Sequence, residues 1–358
     1  MRYKIIIVTN NYFPNEGGIT TYLNFLNLGL NSLPQISSSV LKIDYSKYSN
    51  TIIRYYLLTI SLINLVITGF YYKIIGYNVI IHSHSANYCL LFSYISKRLF
   101  ANKALHTFHS PIDKPDFILK KFTHKLDKVG YVSNQTKELY KKLETPDNKN
   151  EFILPGGIDL KDFLNEKNYV NTHKKKSLLF VGRISKEKGV LESIKSVEKI
   201  IDDIFEYNIV GGFKTEEQKK YFRLIQDYIH KKKLSKKIIL CGSKYDKELI
   251  GFYKKSDIFL LPSIWEEPAP MVIAEAFAAS LPIIAFDVGG LSERIQTNKN
   301  GLLVEPNNID LFAETISELI SDTNKYQKLS MDAISTAKTK FNLENMISDH
   351  LKFYGISK

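Results

Sequence analysis

Two glutamates set the chemical question. Glu267 stands in the proline-rich loop WEEPAP (265–270), and Glu275 lies in the apolar stretch MVIAEAFAA that follows, with no other charge before Asp287. An ionised carboxylate among apolar residues needs donors or cations around it. One of the pair can accept from the two hydroxyls of a ribose, and the other can reach a sugar further along the same ligand. Upstream, VGRISKEKGV places Arg183 and Lys188 on a loop that opens a helix. Two cations beside a helix N-terminus suit a diphosphate. Gly17 and Gly18 directly precede another helix-like segment, where missing side chains let backbone amides approach a phosphate or sugar oxygen. This turn is not GxGxxG, and no acidic residue is placed about 20 residues on to hold a ribose in the dinucleotide manner.

Such residues must be positioned by the elements between them. Uninterrupted apolar runs alternate with helix-length amphipathic segments: KIIIVT, NVIIH, KALHTFH and KVGYVS, then SLLFVG, YNIVGG, IILCG, DIFLLPS, PIIAF and GLLVE. That alternation indicates parallel sheets covered on both faces. Two α/β domains in series are expected, each a doubly wound, Rossmann-like sheet. The boundary follows EFILPGGIDLKDF, and the polar run NEKNYVNTHKKK reads as a linker, giving domains over 1–168 and 172–340. Ligands of doubly wound sheets bind at the carboxyl ends of the strands, so a central cleft between the domains is the expected site. Within the second domain DIFLLPS reads as a strand, WEEPAP as its loop and Pro270 as the first residue of a helix carrying Glu275.

Composition narrows the class. With 358 residues, 44% apolar and 24% charged of mixed sign, the chain is globular and long enough for two cores. A net charge of +12 favours a polyanionic partner without choosing one. Cys89 and Cys241 have no metal-spaced neighbours, so neither a zinc site nor a disulfide framework is expected. The five-residue apolar run near the N-terminus is too short for a signal peptide, and a cytoplasmic protein is expected. Residues 55–72, YYLLTISLINLVITGFYY, carry no charge over a length that could span a bilayer. Their Thr, Ser and Asn residues and the strand-like NVIIHSHS that follows favour a buried or interface helix over a span.

The pair Glu267-x7-Glu275 after LLPS, with GRISKEKG, PGGID, GGLSERI and NGLLVEP, resembles the family 4 glycosyltransferases, retaining enzymes of the GT-B fold. The resemblance runs over nearly the whole chain and is densest from about residue 150 to 306. It implies a nucleoside-diphosphate sugar donor, UDP- or GDP-linked, and a glycan or undecaprenyl-linked glycan acceptor, in synthesis of a surface polysaccharide such as capsule or O-antigen. By position, Arg183 and Lys188 match the pair that neutralises the donor diphosphate, Glu275 the ribose-holding glutamate and Glu267 the one near the transferred sugar. His109 matches a first-domain histidine at the reaction centre, and Gly17 and Gly18 the glycine loop facing the phosphates. Gly242, in CGSKYD, and Met271 and Val272 fall where the nucleotide is held. The last helix, 341–358, is expected to pack back on the first domain. Gly156 departs from the pattern, standing where an asparagine is common, and Glu266 adds a neighbouring carboxylate.

The chain has no D-x-D, so no metal and no other cofactor is expected. His82 and His84 read as hydrogen-bonded strand-end residues and His106 as structural. The lysine-rich run Lys114–Lys142 reads either as a solvated face or, as the resemblance implies, as a surface for peripheral contact with an anionic membrane, with Lys120, Lys121, Lys125 and Lys128 spaced as on one helical face. Three other readings remain at this level: a sugar-nucleotide epimerase, a catalytically silent partner subunit, and a nucleic-acid binder. The last is disfavoured, because two carboxylates in the groove would repel phosphate and no aromatic-basic RNA-binding signature is present.

Overall fold

The computed structural model describes residues 1–357 apart from 14–16, 45–48, 86, 111, 113, 144–149 and 165–174. The chain forms two compact units, Met1–Gly157 with Leu343–Lys358, and Ile158–Asn342. Of the expected linker, 165–176, residues 165–174 lie outside the described residues, and Lys176 already opens the strand that follows.

The first unit runs β1 (Tyr3–Thr9), α1 (Gly18–Asn31), β2 (Ile36–Lys42), α2 (Thr51–Ile74), β3 (Asn78–His84), α3 (Asn87–Leu99), β4 (Lys103–Phe108), α4 (Phe117–Phe122), β5 (Lys128–Tyr131), α5 (Asn134–Lys142) and β6 (Glu151–Ile153). Its six strands are all parallel, in the order β2-β1-β3-β4-β5-β6. Runs such as Ile5–Val8 and Val79–Ile81 are buried, as strands covered on both faces require. The second unit runs β7 (Lys176–Val181), α6 (Val190–Lys199), β8 (Ile204–Val210), α7 (Glu216–Lys231), β9 (Ile238–Gly242), α8 (Asp246–Lys255), β10 (Ile258–Leu261), α9 (Val272–Ala278), β11 (Ile283–Phe286), α10 (Leu291–Arg294), β12 (Gly301–Val304), α11 (Ile309–Ser321) and α12 (Thr323–Lys340). Its sheet is also parallel, ordered β12-β11-β10-β7-β8-β9. The closing helix α13 (Leu343–Tyr354) belongs to the first unit and packs on α1, where Gly29 leaves room for Ile347.

Three expectations need correction. The apolar run 55–72 is not buried: α2 lays Leu58, Leu65 and Gly69 against the first unit and leaves most of its other apolar side chains in solvent. Lys120, Lys121, Lys125 and Lys128 do not share one helical face. The first two lie on α4, Lys125 ends a short 3-10 turn, and Lys128 opens β5, because the chain turns sharply to enter the sheet. Pro270 does not open α9, which begins two residues later after a turn at Met271.

Candidate functional site

In the second sheet the strand order reverses between β7 and β10, since β8 and β9 continue on one side and β11 and β12 on the other. Loops leaving the carboxyl ends of two such strands diverge and leave room for a ligand. The loop after β7 carries Arg183 and Lys188, and the loop after β10 carries Glu267. Two glycines let these loops meet. Gly189 has φ +64°, and a Cβ there would lie 1.8 Å from the Pro262 carbonyl oxygen. Gly289, with φ +63°, would bring its Cβ within 2.4 Å of the Glu267 backbone. Gly290 N–H donates to the Glu267 carbonyl at 2.7 Å, and Ile264 N–H donates to the Glu187 carbonyl at 3.0 Å. The motifs GRISKEKG and GGLSERI thus grip the Glu267 loop from either side.

Glu267 is 2% exposed, and its Oε1 accepts from Lys188 Nζ and, at 2.5 Å, from Ser263 Oγ. Lys188 Nζ also lies 5.3 Å from the Trp265 ring centroid, a cation–π distance. Glu266, in contrast, is exposed, so burial separates the two adjacent carboxylates. Glu275 is buried in the first turn of α9 and accepts from Tyr253 Oη at 2.7 Å. Burial raises its pKa above the usual carboxylate range, and the tyrosine hydrogen bond opposes that rise.

Arg183 does not join this group. Half of its side chain is exposed, and Nη2 sits 3.8 Å from Glu187, a loose surface pair. Gly242 ends β9 in the left-handed region, φ +69°, with open space where a side chain would be. Met271 caps α9 and is buried, while Val272, the first helical residue, is half-buried.

The remaining candidates belong to the first unit. Gly17 is the N-cap of α1, with φ +153° and nothing within 4 Å of the place a Cβ would take, and Gly18 opens the helix. His109 follows β4 directly and is buried, with Nε2 2.8 Å from His84 Nδ1. It sits in a cluster of neutral imidazoles. His82 bonds Tyr354 Oη at 2.9 Å and Thr107 Oγ1 at 2.8 Å, and His106 bonds Ser83 Oγ at 2.8 Å. His350 Nδ1 must donate to the Met346 carbonyl at 2.7 Å, which leaves Nε2 to accept from Tyr22 Oη at 3.0 Å. His84 Nε2 is buried without a partner. An orphaned N–H is the rarer defect, so the His84 proton belongs on Nδ1, donating to His109 Nε2 and fixing the His109 proton on Nδ1. Burial, assisted by His350, lowers the His109 pKa to about 3, and burial with His109 lowers that of His106 to about 3.

The structure therefore unites Lys188 with Glu267 and gives Glu275 its own partner. Ser263, Tyr253 and His84 hold the candidate residues in place and were not assigned from sequence. Ser263 was visible in LLPS, four residues before Glu267, but Tyr253 and His84 meet their partners from other elements and leave no spacing signal.

Residues 162–336 match the family described as Glycosyl transferases group 1. That stretch, just under half of the chain, is similar to the group 1 glycosyltransferases. The chain is similar to MJ1178, an uncharacterized glycosyltransferase of Methanocaldococcus jannaschii, at 28% identity over 98% of this chain and 97% of that protein. It is 30% identical to the Escherichia coli UDP-Gal:alpha-D-GlcNAc-diphosphoundecaprenol alpha-1,3-galactosyltransferase over 53% of this chain and 50% of that protein. It likewise spans about half the length of other curated relatives, 45% of M. jannaschii MJ1607 among them. Among solved structures, a glycosyltransferase from Rickettsia africae ESF-5 is similar with a TM-score of 0.80 at 22% identity, covering 99% of this chain and 98% of that one. Anabaena Alr3699/HepE, in complex with UDP-glucose, is similar with a TM-score of 0.77 at 15% identity, covering 98% and 99%. The two-sheet α/β architecture of the chain is GT-B.

Proposed function

We propose that this chain transfers a sugar, with retention at the anomeric carbon, from a UDP- or GDP-linked donor to a glycan or undecaprenyl-linked glycan during synthesis of a bacterial surface polysaccharide. The observation that carries the reading is the group of half-buried Lys188 with buried Glu267 and Ser263 at the strand-order reversal of the second sheet. Breaking the bond from the anomeric carbon to the diphosphate oxygen leaves negative charge on the diphosphate and positive charge on the sugar ring. Fixed cations on one side and a fixed carboxylate on the other lower that barrier. Lys188 has N–H groups beyond the one it gives Glu267, and together with the exposed Arg183 it neutralises the departing diphosphate. Glu267 faces the sugar, Glu275 accepts from the ribose hydroxyls, and Gly242, Met271 and Val272 line the nucleotide. Gly17 and Gly18 present amides to the phosphates, and the His109 Nδ1–H donates to the donor sugar.

The substrate named for the E. coli relative supports a lipid-linked acceptor, and the UDP-glucose bound to Alr3699/HepE supports a UDP donor. Work on such an acceptor implies a cytoplasmic enzyme at the inner face of the membrane, with Lys114–Lys142 near anionic lipid. The chain's own cations serve the leaving group, and we expect turnover in chelator.

The test is a thermal-shift screen in EDTA against UDP, GDP, ADP, CMP and their sugar conjugates, beside Arg183→Ala. A ligand at about 100 times its Kd stabilises by roughly 2.7 kcal/mol. The reading expects one nucleoside diphosphate to shift the melting point and Arg183→Ala to diminish the shift. No shift with any nucleotide would sink it.

A further inference from the structure

The helix α2 has two faces of unusual character. Its inner face is locked to the first unit: Leu58 and Leu65 are buried against Val79, Ile81 and Phe92, and a Cβ on Gly69 would lie 2.0 Å from the Phe100 ring. Lys73 Nζ ties the C-terminal end down by donating to the Phe100 carbonyl at 2.9 Å. Its outer face is apolar and in solvent. Ile52, Tyr56, Ile63, Ile67, Phe70 and Ile74 are all exposed, Ile67 to 64% and Ile74 to 81%. A water-facing helix ordinarily carries its charges there. A contiguous apolar surface of this length, about 36 Å at 1.5 Å per residue, marks an interaction site.

We propose that the outer face of α2 is an interfacial docking surface that lies flat on a lipid bilayer carrying anionic headgroups. Charge selects this occupant. The two charged residues of α2, Arg54 and Lys73, are both cationic and stand near its ends, and the helix has no acidic residue. On the other side of α3, which packs against both helices, α4 adds exposed Lys120 and Lys121 beside Phe117, itself 68% exposed. An apolar stripe that enters the acyl boundary and basic residues that meet headgroups are the two terms of interfacial binding.

The breadth of the stripe argues against a second copy of the chain as occupant. From Tyr55 to Tyr71 the exposed apolar side chains cover about 160° of the helix at roughly 100° per residue, wider than a coiled-coil seam. Thr59 within the stripe and Asn64 at its edge stand where helices that pair would carry charges. Nor is α2 free to cross a membrane while Leu58, Leu65 and Gly69 stay packed in the first unit.

This docking face is independent of sugar transfer and is read without nucleotide or acceptor. The experiment is flotation of the full chain with phosphatidylcholine vesicles, with and without phosphatidylglycerol, comparing wild type, Ile63→Glu/Ile67→Glu and Lys120→Glu/Lys121→Glu. Both isoleucine side chains face solvent, so the α2 variant is expected to keep the wild-type melting curve, and Ile67→Ser serves as a milder control of folding. Wild type is expected to float with phosphatidylglycerol vesicles, the α2 variant to bind at least tenfold more weakly, and the α4 variant to lose part of the salt-sensitive binding. Vesicle binding that survives the α2 substitutions would overturn the proposal and leave contact to the lysine-rich segment alone. Absence of wild-type flotation, or a dimer in sedimentation velocity that the α2 substitutions dissociate without any vesicle binding, would overturn it as well.

Discussion

In the second unit a lysine, a serine and a tyrosine hold two buried glutamates, whereas in the first unit His82, His84, His106, His109 and His350 largely hold one another and their neighbouring hydroxyls. The same force, burial, acts on both, and it favours the neutral form of each group. For Glu275 neutrality means keeping a proton, and for the histidines it means refusing one. The two regions therefore answer acid in opposite directions. Glu267, unlike Glu275, is held directly by a cation, the half-buried Lys188.

The sharpest way to break this comparison is to remove that cation. Lys188→Met leaves Glu267 buried with Ser263 as its remaining side-chain donor, and loss of one member of a buried pair costs roughly 3–5 kcal/mol. Turnover is expected to fall on the order of a hundred- to a thousandfold, as when a preorganised charge is taken from a developing anion. Adding Glu267→Gln separates the two losses. The double variant is expected to regain much of the stability in urea titrations and none of the activity. Recovery of activity with stability would mean that the pair serves the fold alone.

The histidine cluster gives the next effect. An unfolded chain takes up protons on histidine near pH 6.5, but burial delays native protonation to about 3 for His106 and His109 and to about 4 for His350. Between those values the unfolded state binds more protons, so stability falls as pH falls from about 6.5 toward 4. His106→Phe keeps a ring beside Phe108 and leaves Ser83 Oγ its contact with the Leu105 carbonyl. It is expected to remove on the order of 2 kcal/mol of the acid-dependent loss, measured by urea unfolding at pH 7 and pH 5. An unchanged pH slope would show that His106 titrates as it does in water and that the contrast between the units is false.

These two regions also differ in how far sequence could foretell them. The parallel sheets and the strand-end position of Arg183, Lys188 and Glu267 follow from apolar runs that stop at glycine, proline or serine, a local signal. The pairing of Lys188 with Glu267 is long-range and was not foreseen, because the demand for a donor was read at Glu275, among apolar residues, and Lys188 was assigned to a diphosphate. Tyr253 on α8 and the His84–His109 contact had no such warning, since neutral partners need no charge balance and can come from any adjoining element. The α2 run misled for a related reason. Apolar content states that a surface avoids water, and it does not say whether protein or something else covers it.

The smallest expected effect tests the other arm of the comparison. Tyr253→Phe removes the donor that favours ionised Glu275 and leaves the burial that opposes it. The Glu275 pKa is expected to rise further, with a stability loss of about 1 kcal/mol at pH 7. Because the native carboxyl binds its proton above the unfolded value, its contribution is complete below about pH 4.5 and is lost as pH rises through the native value. The penalty for Tyr253→Phe should therefore shrink as pH is lowered toward 4.5, opposite in sign to the histidine trend. If Glu275 also holds a ribose, the same variant should weaken binding of a nucleoside diphosphate severalfold while leaving free phosphate unaffected. Equal binding in wild type and variant would confine Tyr253 and Glu275 to the core of the second unit.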